Sequence, residues 1–107
     1  FIGGKVVMNE VEFRNWMVNR GIKNKIAGDV ISRLKRVERE IKNCDIDEQY
    51  RNDKCEYLLS LFVKMGNNDE MKKYPNTNLP IGKYYMSTYR HALRLYVNFC
   101  NDSISEI

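Results

Sequence analysis

Apolar residues in this chain recur at intervals of three and four rather than two, and only an α-helix gathers residues so spaced onto one side. The plainest case is Ile26, Val30, Leu34, Val37 and Ile41, set apart by 4, 4, 3 and 4 positions. That stripe predicts a helix starting at Asn24, which is placed to act as its N-cap, and continuing past Ile41. The same spacing predicts a helix from Glu10 to Arg20, with Val11, Phe13, Trp16, Met17 and Val18 as one broad inward face. Asn9 and Glu12 have capping-box spacing, and Gly21 stands where a left-handed residue ends a helix.

Beyond Asn43 the pattern is interrupted. A short helical turn is expected around Asp45 to Tyr50, then a second capping box at Asp53 and Glu56. Cys55, Leu58, Leu59, Phe62 and Val63 predict a third main helix that ends at Gly66 and forms the centre of the core. Residues 66–83, with Gly66, Pro75, Pro80 and Gly82 among several Asn, read as a long loop of the kind that is often functional or mobile. A last helix is expected from Lys83 or Tyr84 to Asn101. Its inward face would be Tyr85, Tyr89, Ala92, Leu93, Tyr96, Phe99 and Cys100. The fold class that follows is all-α, a compact bundle of four to five helices in one domain over residues 1–107. Residues 1–8 read as a tag or a flexible lead with Met8 as the natural start, Lys5 to Met8 allowing at most a brief extension.

The length, 107 residues, suits one core. No apolar run approaches the roughly 18 residues of a membrane span, and no secretory signal is recognisable, so a cytoplasmic protein without a membrane partner is expected. Cys44, Cys55 and Cys100 show no metal-ligand spacing and read as reduced thiols. The one histidine, His91, has no second histidine and no neighbouring nucleophile. The acids Asp45, Asp47, Glu48, Asp53 and Glu56 fit helix capping better than a calcium loop. Gly3-Gly4-Lys5 lacks the spacing of a phosphate loop. These readings predict a non-enzyme with no cofactor and no metal.

Charge gives the positive indication. Residues 20–42 hold eight bases and three acids, or +5, whereas residues 43–72 hold four bases and seven acids, or −3. Residues 83–98 hold three bases and no acid. Such segregation is expected of a protein with one side turned to a polyanion, although a solvated helix face has the same composition. The candidate contacts on the second helix are Lys23, Lys25, Arg33, Lys35, Arg36 and Arg39. On the last helix they are Lys83, Thr88, Arg90 and Arg94. The expected partner is duplex DNA, held by its phosphate backbone. Tyr74 and Tyr84, beside the long loop, read either as base-stacking residues or as part of an apolar docking patch with Leu79 and Ile81.

Two resemblances add to this. Phe13-x-x-Trp16-Met17 followed by Arg20-Gly21-Ile22-Lys23-Asn24-Lys25-Ile26, and Tyr89-Arg90-x-Ala92-Leu93-Arg94-x-Tyr96-x-x-Phe99, resemble the SAM-like core-binding domain of tyrosine recombinases, the integrase group. A longer likeness runs through Ser32 to Glu38, Asp45 to Tyr50, Asp53 to Leu59, Asn78 to Gly82 and Ala92 to Tyr96. It is similar to an uncharacterised helical domain at the N-terminus of bacterial restriction-type and HNH-type nucleases. The latter implies a DNA-binding accessory module of a restriction-modification or phage-defence enzyme, with the nuclease or recombinase catalytic domain elsewhere on the polypeptide. Tyr89-Arg90-His91 departs from the more basic, lysine-containing run expected there.

Overall fold

A computed structural model describes residues 9–105, which contain five α-helices and two 3-10 turns and no strand. The lead at residues 1–8, the extension at Lys5 to Met8 and Gly3-Gly4-Lys5 lie outside the described residues. Helix α1 spans Glu10–Asn19. Gly21, at φ +92°, ends it as the spacing requires: Gly21 N–H donates to Val18 O at 3.0 Å and Ile22 N–H to Met17 O at 3.0 Å, a Schellman closure. The Asn9 side chain makes no cap bond. Only Phe13 and Met17 of α1 are buried and Trp16 partly so, while Val11 is 73% exposed and Val18 lies outside the core.

Helix α2, Asn24–Glu40, carries the main stripe, with Lys23 rather than Asn24 in the N-cap position. Its buried residues are Ala27, Val30, Ile31, Leu34 and Val37, continuing to Ile41. The expected first member, Ile26, is 50% exposed, because the contact surface begins a residue later at Ala27. Helix α3 spans Ile46–Asp53 and is capped twice over. Asp45 Oδ1 accepts from Glu48 N–H at 3.3 Å, and Glu38 of α2 accepts from Ile46 N–H at 2.9 Å.

The expected third main helix is much shorter than its pattern. Helix α4 covers only Glu56–Ser60, with Asp53 accepting from Tyr57 N–H at 3.0 Å. The physical reason lies downstream: the Asn68 side-chain amide donates to both Leu61 O and Val63 O at 3.0 Å, taking carbonyls that a continuing helix would use. Val63–Gly66 then form a 3-10 turn in which Lys64 and Met65 sit at φ +54° and +56°. Non-glycine residues there are strained by about 1 kcal/mol or more each. Lys64 is exposed and its side chain makes no hydrogen bond among the described residues, so Lys64→Gly, which keeps the backbone bond from Asn67 N–H, is expected to raise stability by about 1 kcal/mol. A lowered urea midpoint in that variant would contradict the assignment of strain.

Helix α5, Met86–Ser105, lies against α2, and these two rather than α4 make the centre of the core. It buries Met86, Tyr89, Ala92, Leu93, Tyr96 and Phe99; Tyr85, expected to face inward, precedes the helix and is 44% exposed. Phe13 meets Tyr96 edge-on at 4.9 Å and Phe99 at 5.3 Å, so α1 is held to α5 by an aromatic cluster. Tyr96 has no exposed surface, yet its hydroxyl donates to Asp47 at 2.6 Å and accepts from Asn9 N–H at 3.3 Å. Burial first, and the Asp47 bond second, push this phenol above its ordinary range and keep it a neutral donor.

The long connection from Gly66 to Tyr85 is packed, not loose. Met71, in a second 3-10 turn at Met71–Lys73, and Leu79 are buried, and Tyr57 and Tyr74 share a hydroxyl contact at 3.2 Å. That contact, ahead of burial, raises the Tyr57 phenol. Asn78 is gripped by two α2 residues one turn apart: Arg36 Nη2 donates to its carbonyl at 2.7 Å, and Glu40 accepts from its N–H at 2.8 Å. This double attachment lays the connection alongside the outer face of α2.

Candidate nucleic-acid interface

Three surface depressions follow from that placement, and they share edges. The first is lined by Ser32, Arg33, Lys35, Arg36, Arg39 and Tyr89. Arg39 also lines the second, with Glu40, Lys42, Lys73, Tyr74, Pro75, Asn76 and Thr77. Tyr74, Pro75 and Thr77 continue into the third, which reaches Gly66, Lys72 and Ile81. Together they trace a groove from the outer face of α2, past the 3-10 turn at Met71–Lys73, towards the start of α5.

Four of the ten expected contacts, Arg33, Lys35, Arg36 and Arg39, meet in this groove. Arg33 has no carboxylate partner among the described residues. Lys35 is paired with Glu10 at 2.7 Å and Arg39 with Glu40 at 3.7 Å, but both cations are well exposed. Pairs of that kind hold about 0–1 kcal/mol and yield readily to a phosphate. Arg36 is partly committed, donating to the Tyr89 hydroxyl at 3.1 Å as well as to Asn78, so it positions the groove wall while it forms no ion pair among the described residues.

The other six lie apart from it. Lys23 and Lys25 are exposed at the opposite end of α2 from Arg39, about 20 Å away at the helical rise. Lys83 and Arg94 are exposed, and neither lines the three depressions. The Thr88 hydroxyl is bonded to Tyr85 O at 2.6 Å, which uses the proton a phosphate oxygen needs. Arg90 is half-buried, and its Nε is shielded without a hydrogen-bond partner among the described residues.

Sequence reasoning left Ser32, Lys42 and Lys73 out of the site. Lys73, paired with Glu70 at 3.1 Å, reaches the groove only because Asn78 fastens the connection to α2. A signal was present: residues 71–101 contain five Lys and Arg and not one Asp or Glu. Three of the acids of 43–72 have structural partners instead, Asp45 and Asp53 at helix N-termini and Asp47 on Tyr96. Among the described residues no group of three His, Cys, Asp or Glu is arranged to hold a metal. The thiols of Cys55 and Cys100 are pushed up to about 12 and about 11, chiefly by burial, the opposite of what activates a nucleophile. His91 is exposed on α5. No helix among the described residues is long and apolar enough to cross a membrane.

Compared with protein families, with curated proteins and with solved structures, the chain finds no match.

Proposed function

We propose that this domain is a non-catalytic DNA-binding module that holds phosphates along the groove beside α2. The observation that carries the reading is the continuity of the groove, in which Arg33, Arg39, Lys42 and Lys73 follow one another along one path. A polyanion repeats its charge at regular intervals, and a row of partly free cations in a channel matches that repetition better than it matches a small ligand. The recombinase and nuclease resemblances agree in making such a module accessory to a catalytic domain elsewhere on a longer polypeptide, a nuclease of restriction or phage defence being the favoured case.

A gel-shift titration at several salt concentrations tests this. Affinity is expected to fall steeply with salt, with a log–log slope of about 0.7–0.9 for each phosphate contacted. Affinity indifferent to ionic strength, or no complex at low salt, would rule the proposal out.

A second reading, docking of a protein partner, draws on Met65, Ile81, Tyr84 and Tyr85, which are exposed near the end of the groove. Leu79 and Tyr74, expected in such a patch, are instead buried and half-buried, so the exposed apolar residues there differ from those expected from sequence.

A further inference from the structure

Just past the third depression, whose lining reaches Gly66 and Ile81, the surface changes in chemistry. Gly82 N–H donates to Met65 O at 2.7 Å, which brings the Lys64–Met65 turn against the segment leading into α5. Tyr84 emerges there 83% exposed, and Tyr85 meets its ring edge-on at 5.4 Å and 85°. Lys64 and Lys83, both exposed and without carboxylate partners among the described residues, belong to the same two segments. A phenol ring braced by a second ring and accompanied by cations is a stacking platform rather than a core residue.

Upstream, aromatic and basic groups also occur together. Tyr74, half-buried, lines the second depression with Lys42 and Lys73, whereas Tyr89 in the first is buried, stacked on Phe62, and offers no free face. A half-buried Tyr74 and an exposed Tyr84, each beside cations, suit a strand whose bases are free to stack, whereas in a duplex the base faces are covered by their neighbours. The shape agrees. A helix that reads a duplex inserts its outer face into a major groove about 12 Å wide, but here the connection fastened at Asn78 occupies the space beside Arg36 and Arg39.

We infer that the groove takes single-stranded nucleic acid, with one unstacked base resting on Tyr84. This rests on the nucleic-acid reading and replaces the duplex expected from sequence with an unpaired strand. Lysines and arginines hold the backbone, and the strand leaves over the Tyr84 ring, where any base can stack because each has a π-face.

Fluorescence anisotropy on the intact domain tests it, using a labelled single strand of about 12 nucleotides and a hairpin duplex of the same sequence at low salt. The single strand is expected to bind at least roughly tenfold tighter than the duplex. Tyr84→Ala should weaken strand binding by roughly 5- to 150-fold, the range for removing one base stack, while Tyr84→Phe, which keeps the ring, should bind within about twofold of the parent. At 83% exposure neither substitution disturbs the core, and circular dichroism checks this. Salt-dependent binding in which the duplex is preferred, or in which Tyr84→Ala binds the strand like the parent, overturns the inference and leaves the nucleic-acid reading standing. No binding of either oligonucleotide overturns both, as does capture by anionic phospholipid vesicles in place of oligonucleotides.

Discussion

Tyr96→Ala is expected to cost about 3–5 kcal/mol, the usual range for emptying a large aromatic site, and so to bring the domain close to unfolding at room temperature. Domains of this size are stable by about 5–15 kcal/mol in all. The ring is fully buried between Phe13 and Phe99, so its removal opens a cavity where α1, α2 and α5 converge. The hydroxyl ties three segments at once, through Asp47 at the start of α3 and through the backbone of Asn9 ahead of α1. Tyr96→Phe separates the two contributions: it keeps the ring and removes the hydroxyl bonds, for an expected cost of about 1–2 kcal/mol. Urea unfolding followed by circular dichroism measures both. A cost below about 1.5 kcal/mol for the alanine variant would mean that the site collapses freely and that the core is centred elsewhere.

Combined replacement of Arg33, Arg39 and Lys42 by glutamine should weaken nucleic-acid binding by roughly a hundredfold or more at low salt, taking about 1–1.5 kcal/mol for each charge-assisted bond to a phosphate that the substitutions remove. The salt slope should fall with it, by about one for each cation removed. These side chains lie on the outer surface of α2 or just past its end, and none enters the core, so the unfolding midpoint should hardly move. Glutamine at Lys23 and Lys25, equal in charge per residue but outside the groove, serves as the comparison. Equal weakening per charge removed in the two sets would show that overall charge, rather than the groove, governs binding, and the site would then have to be abandoned.

The helical class was legible from residue spacing, and so was the end of α1, because Gly21 is one of the few residues that enters the left-handed region without strain. The stripe of α2 was legible to within one residue. What could not be read was anything decided by a residue distant along the chain. The pattern from Cys55 to Val63 is helical, yet Asn68 folds back to claim the carbonyls of Leu61 and Val63 and ends the helix early. Tyr85 continues the apolar register of α5 but precedes its first turn, so it faces outward beside Tyr84. Within the candidate site, Arg33, Arg36 and Arg39 were accessible to reasoning because one helix presents them. Lys73 was not, since its place depends on the attachment of Asn78 to Arg36 and Glu40.

That attachment has a consequence for the cost of binding. With the Asn78 backbone fastened at both its N–H and its carbonyl, the connection cannot lift away from α2 without breaking two charge-assisted bonds together. Under the reading proposed above, the cations on α2 and on the connection would already stand in place before any ligand arrives, so little ordering entropy would be lost on association.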